Sequence, residues 1–250
     1  MEKDLKDFQL IELLDIKSLL PDYSDKEDED KEAKEVRYDA IAKIYDAIAK
    51  KLFNEYHIKK GDATYDFLEI EFYYFDKGHP DYITYPRTIS KGNWFFHNSG
   101  MDLSFESWSE KGFEKTSEAG ENFFGGILIR SLVKDDRTAT IGPLKCCWKL
   151  FDSFCAFERR VNELPVIERK PVETKHDIYR TVRYIRYDKD KAAKDYGVKN
   201  SESYEKHLEL PYRYYIKCPV LIELKDYPNK KEIQYRAQPW KTGSKEVKVP

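Results

Sequence analysis

The sequence predicts a single α+β domain, a curved mixed or antiparallel β-sheet with flanking helices. Three observations carry this expectation. Apolar residues recur at helical spacing as far as Phe53. From Tyr65 the period changes to two. No internal repeat or clean linker divides the remainder, and 250 residues with 40% hydrophobic content suffice to bury a sizeable core.

Residues 3–20 place Leu5, Phe8, Leu13, Leu14, Ile16 and Leu19 on a helical pattern that Pro21 ends. Residues 24–34 are nearly all charged and read as a loop or as the exposed start of a second helix. That helix follows from Val36 to Phe53, with Ile41, Ile44, Tyr45, Ile48 and Leu52 on one face. After the Gly61-Asp62 turn, Phe67, Glu69, Glu71 and Tyr73 alternate with Leu68, Ile70, Phe72 and Tyr74, a strand. A loop over 76–91 leads to a β-hairpin over 93–106, turning at Asn98-Ser99-Gly100. Residues 107–122 read as surface loop, and 126–133 (GILIRSLV) as an apolar strand. Gly142-Pro143 opens a helix expected to run through Phe157. Residues 181–186 and 212–224 read as strands, and 189–207 as polar and helical.

Charge divides the chain into an acidic helical arm (1–36), a body (37–224) and a basic tail (225–250). Residues 1–36 hold 13 acids and 6 lysines, whereas the whole chain carries only −2. Either the arm and tail are simply solvated, or the body meets phosphates and the arm screens that surface. No apolar run is long enough to span a bilayer and no signal-peptide stretch opens the chain, so no membrane partner is expected. The four cysteines (146, 147, 155, 218) form no CxxC motif, and the five histidines have no ligand spacing. The expectation is a reduced, cytoplasmic protein with no metal and no organic cofactor. Phosphate-binding glycine loops, nucleophile elbows and zinc-protease motifs are absent from the sequence.

Two features point to chemistry. Arg130 interrupts an apolar strand, so it must be paired. It serves either a structural salt bridge or a site at the strand's end. Glu69 and Glu71 lie two apart and share a strand face, followed by Tyr73 and His79. They form either the solvent face of an edge strand or a partly dry site in which a carboxylate acts as general base.

In order and spacing, these segments resemble the alkyladenine (3-methyladenine) DNA glycosylase family over roughly residues 37–222. The family's ExEAY strand and following His are similar to Glu69-Ile70-Glu71-Phe72-Tyr73 with His79. Arg87 in TYPRT, the hairpin WFFHNSGMDLSF, Ile127–Leu132 and the helix start Gly142-Pro143-Leu144-Lys145 are similar to further family segments. So are Val182-Arg183-Tyr184 and the strand from Pro211 to Pro219.

The resemblance implies the fold of that family, which is like the formyltransferase C-terminal domain, and base-excision hydrolysis of an alkylated or deaminated purine. A base must leave the stack before its glycosidic bond can be reached. By resemblance Glu71 activates the attacking water and Arg130 lies beside it. Tyr73, His79, Phe96 and Glu106 occupy base-binding positions, and Arg87, Ser99, Gly100 and Met101 occupy DNA-contacting ones. The partner implied is DNA, damaged duplex or single strand. Three positions depart from the family pattern. Ser99 replaces the large Tyr that wedges into the duplex, Phe96 replaces a stacking Tyr, and Glu106 falls near an Asn that closes the pocket against guanine. These departures bear on intercalation and base choice more than on the water-activating pair. The alternative is a non-catalytic module of the same fold that binds nucleic acid, a nucleotide or a protein.

Overall fold

The computed structural model describes residues 4–21, 31–114, 119–152, 164–183, 185, 198–224, 227–237 and 245–250. It is an α+β structure built on one large antiparallel sheet with a few helices. The strands are β1 (Tyr56–Lys60), β2 (Ala63–Asp76), β3 (His79–Pro80), β4 (Trp94–His97), β5 (Gly100–Ser104), β6 (Phe124–Lys134) and β7 (Ala139–Ile141). They continue with β8 (Val166–Arg169), β9 (Ile178–Thr181), β10 (Arg213–Ile216), β11 (Pro219–Leu224), β12 (Tyr227–Gln234) and β13 (Val247–Lys248). The helices are α1 (Leu10–Leu13), α2 (Ile16–Leu19), α3 (Lys31–Asn54), α4 (Pro143–Leu150) and α5 (Val198–Glu209), with a 3-10 turn at Leu5–Asp7. The main path of the sheet runs β13-β9-β10-β2-β6-β5-β4. Strands β1, β3, β7 and β8 attach beside it, and β11 and β12 form a separate hairpin.

Strand β2 is the trunk. It pairs with β6 from Tyr65 to Phe75 and also with β1, β3 and β10. From Leu68 to Tyr74 its even residues enter the main core beside α3, where Tyr45 stacks on Phe72 with centroids 4.2 Å apart. The α3 side chains Ile41, Ile44, Ile48 and Leu52 join Ile70, Ile127 and Ile129 in the main core. Fully burying each such side chain contributes roughly 1.5–3 kcal/mol. The acidic arm docks here as well, since Leu10, Leu13, Leu14 and Ile16 are buried in the same cluster. The segment beyond residue 225 contributes β12, paired to β11, and β13, paired to β9.

Several elements differ from the sequence expectation. The single helix over 3–20 is three short turns. Asp15 leaves helical geometry after Leu14 caps α1, and the Asp15 carboxylate accepts from the Ser18 amide at 3.4 Å, starting α2 anew. Helix α4 stops at Leu150 with Phe151 as its cap; the expected continuation from 153 lies outside the described residues. The strand expected over 212–224 is two, because Lys217 and Cys218 turn the chain from β10 into β11. The strand expected over 181–186 lies earlier, at Ile178–Thr181; Val182, Arg183 and Ile185 are outside it, and 184 and 186 are not among the described residues. Strands β1, β3, β7, β8, β12 and β13 have no counterpart in the sequence reading, β3 falling in the loop expected over 76–91.

The pair Gly125-Gly126 has a packing reason. A Cβ on Gly125 would collide with the Tyr73 carbonyl and come within 2.9 Å of the Phe105 ring. Backbone on one side and a core aromatic on the other cannot yield cheaply. Gly125→Ala is therefore expected to lower the unfolding free energy by about 2 kcal/mol or more. Urea denaturation checks this, and a variant as stable as wild type would show that β6 can move away from β2.

Candidate functional site

In the middle of β2 two odd residues, Glu69 and Glu71, carry charge. The pairing of β2 with β6 slips between Glu69–Ser131 and Ile70–Ile129, so the register skips Arg130. Such an irregularity re-aims a side chain, and here the guanidinium reaches two carboxylates. Arg130 Nε donates to Glu69 Oε1 at 2.7 Å and Nη1 to Glu71 Oε2 at 3.1 Å. From the other flank β10 places Arg213 opposite Glu71. Arg213 Nε donates to Glu69 Oε1 at 2.7 Å and lies 3.8 Å from Glu71 Oε1. Tyr73 donates its hydroxyl to Glu71 Oε2 at 2.7 Å. Tyr235, from the segment after β12, donates to Glu69, and its oxygen lies 2.9 Å from Ser131 Oγ.

Two carboxylates thus meet two guanidiniums inside the sheet. Burial pushes the Glu69 carboxyl up, but Arg213 and Arg130 outweigh burial and hold it below the usual range. Burial likewise acts to lower the Arg130 guanidinium, and Glu71 with Glu69 reverse this and raise it. Burial, reinforced by Glu71, pushes the Tyr73 phenol well above its ordinary value, so it stays a donor. The Glu71 side chain is fully buried and those of Glu69 and Arg213 nearly so, while 13% of the Arg130 side chain remains exposed. Of these four, the group open to a visitor is Arg130.

A second polar network adjoins the first. The carbonyl of Tyr74 fixes His79 Nδ1 as a donor at 2.8 Å, so His79 Nε2 accepts from the Tyr212 hydroxyl at 2.9 Å. The His79 ring packs on Tyr38 at 4.5 Å and on His207 at 4.7 Å. His207 donates from Nδ1 to the Ser203 carbonyl at 2.7 Å and accepts from Tyr38 at 3.3 Å. Arg183 bridges the networks. It grips Asp81 at 2.6 and 3.2 Å, donates to the carbonyls of Phe72 and His207, and lies 4.7 Å over the Tyr73 ring.

The structure brings Glu71, Arg130 and Tyr73 together, with His79 one layer away across Arg183. The hairpin residues are dispersed. Phe96 is half exposed and edge-on to Phe151 at 4.8 Å. Ser99 lies on the exposed turn, its amide donating to His97 Nδ1 at 3.2 Å. Gly100 adopts φ 148° and is buried. Met101 is fully buried in the core, so its side chain offers no contact to DNA in this conformation. Arg87 is also turned inward, 2.7 Å from Asp102 and 3.8 Å over Phe95. Glu106 accepts from the Lys91 amide at 3.1 Å.

Arg213, Tyr235, Asp81 and Arg183 belong to these networks and were not marked as site residues by the sequence reading. A charge inside an apolar run, the feature that marks Arg130, also marks Arg213 within PYRYYI and Arg183 within VRYI; nothing local flags Tyr235 or Asp81. Among the described residues no group of His, Cys, Asp and Glu could hold a metal, and no helix is long and apolar enough to cross a membrane. A cavity of about 600 Å³ lies elsewhere, between α1, β1, β8 and the hairpin, lined by Leu10, Tyr56, Trp94, Phe151 and Ile167. Comparison with known proteins adds no relative: no family model, curated protein or solved structure matches the chain.

Burial lowers His79, and it lowers His207 to about 3. The unfolded chain protonates near pH 6.5. A histidine held neutral in the fold makes the unfolded state the better proton binder, so stability falls as pH drops below about 6.5. The slope approaches about 1.4 kcal/mol per pH unit for each such proton. Urea denaturation between pH 6.5 and 4.5 should show this loss, and His207→Gln should flatten it. An unchanged slope in His207→Gln would assign the loss to other groups.

Proposed function

We propose that this chain is a base-excising hydrolase with the fold of the alkyladenine DNA glycosylases. It cleaves the N-glycosidic bond of a flipped, alkylated or deaminated purine. The observation that carries the reading is the Glu71 carboxylate held between the Tyr73 hydroxyl at 2.7 Å and Arg130 at 3.1 Å. A carboxylate fixed in place by two donors can serve as a general base toward a water set beside it. In the reaction, water attacks the sugar C1′, Glu71 accepts the proton, and the C1′–N bond breaks with its electrons leaving on the base. Arg130, the more exposed partner, orients the water and offsets charge. The exposed turn around Ser99, the half-exposed Phe96 and the α4 start at Gly142-Pro143 support the same reading.

One observation favours a second reading, a non-catalytic binding module of the same fold. Glu71 and His79 are fully buried, and Met101 and Arg87 face inward. A base-release assay separates the two. Oligonucleotides carrying hypoxanthine, 3-methyladenine or ethenoadenine are incubated with the protein, and abasic sites are cleaved with alkali. Wild type should release base, and Glu71→Gln should lower the rate by at least about a hundredfold while keeping its circular dichroism. Activity that survives Glu71→Gln removes Glu71 from its role. No release by wild type on duplex or single strand leaves the binding module.

A further inference from the structure

Helix α4 buries Cys146 and Leu150 and packs against β5, β6 and β7, while its opposite side is open. At 100° per residue, Leu144, Trp148, Lys145 and Lys149 fall on one arc of that open side, and all four are exposed. Trp148 is 65% exposed, an unusual position for so large an apolar ring. The apolar strip extends beyond the helix. Ile141 is exposed just before it, and Phe96, 51% exposed on β4, stands edge-on to the capping residue Phe151. A Cβ on Gly100 would lie 3.0 Å from Pro143 Cβ, so the hairpin turn abuts the first turn of α4.

The charge of this strip has one sign. Residues 139–151 contain two lysines and no acid, and the hairpin stretch 93–101 contains neither lysine, arginine nor acid. Asp152, next in the chain, is paired with Lys60. Lys145 and Lys149 are one turn apart, about 6 Å along the axis, a spacing that suits successive phosphates of an extended strand. Exposed aromatic rings beside lysines are how proteins hold unpaired bases, which stack on the rings while the cations track the backbone. A duplex hides those base faces. Opening it needs a bulky wedge to fill the gap, and the hairpin turn offers Ser99.

From this we infer that the α4–hairpin strip is a docking surface for single-stranded nucleic acid, with Trp148 stacking on a base and Lys145 and Lys149 meeting phosphates. The inference rests on the nucleic-acid reading above but not on base release by Glu71.

The test is fluorescence anisotropy of a fluorescein-labelled oligothymidine, which carries no excisable purine, with the full chain over a series of salt concentrations. Wild type should bind the strand more tightly than a duplex of equal length, with quenching of tryptophan emission. Trp148→Ala should weaken binding about tenfold or more. Lys145→Gln/Lys149→Gln should lower the salt slope by about 0.7 for each phosphate no longer neutralised. Val172→Ala, an exposed change away from the strip, should have no effect. Glu71→Gln should bind as wild type does, so loss of base release alone leaves the surface standing. Equal binding by Trp148→Ala, preference for duplex, or no binding by wild type overturns the proposal. So does Trp148-dependent binding to phosphatidylserine vesicles with none to the strand.

Discussion

Glu69 and Glu71 can occupy the middle of the sheet only because a guanidinium reaches them from a strand on either side. Isolated carboxylates in that position would cost several kcal/mol each. Arg130 reaches from β6 through a slip in register, and Arg213 reaches from β10 by direct opposition. Both donate to the same Glu69 oxygen at 2.7 Å. The register of three strands is thereby tied to one charge balance, since a one-residue shift of β10 or β6 would turn its arginine to the other face. Tyr235 adds a fourth chain segment to the same carboxylate. The residues after β12 thus belong to the sheet's electrostatics as well as to its pairing.

Such a cluster is a poor way to gain stability. Well-packed apolar residues of the same volume commonly serve as well or better, whereas removing one partner leaves an uncompensated buried charge. The same holds for Arg183 and Asp81, whose side chains are both fully buried. This chain keeps both clusters side by side and joins them through the Tyr73 ring. The arrangement fixes the Tyr73 hydroxyl on Glu71 and the Tyr212 hydroxyl on His79. It settles which atoms donate and which accept, which an apolar core does not do.

Much of the frame was legible because it follows from local pattern. The apolar face of α3, the alternation of β2, the hairpin turn and the Gly-Pro start of α4 each announce themselves within a dozen residues. What was not legible depends on partners distant in sequence. Strands β1 (YHIKK) and β8 (VIER) are too short and polar to alternate cleanly, and they exist because they pair with each other and, for β1, with β2. The break between α1 and α2 is set by one side chain, Asp15, capping a helix inside a continuous apolar pattern. At the site, Arg130 stood out because apolar residues surround it. Arg183 did not, because it is one of three arginines spaced along 180–186 and its partner Asp81 lies 102 positions away.

The division of β2 into two faces governs how the protein can change. From Leu68 to Tyr74 the even residues belong to the main core beside α3, where Tyr45, Phe72 and Phe105 stack in near-parallel rings. Odd residues from Glu69 to Tyr73 carry charge and hydroxyls and touch arginines. A substitution such as Glu71→Gln removes charge from the second face while leaving the volume and contacts of the first intact. The α4–hairpin strip is separate again, since Trp148 and Phe96 are exposed and lie outside the ion-pair network. The main core, the buried ion pairs and the exposed strip therefore rest on different residues. Changes to the strip can be made without disturbing the charge balance that holds β6, β2 and β10 in register.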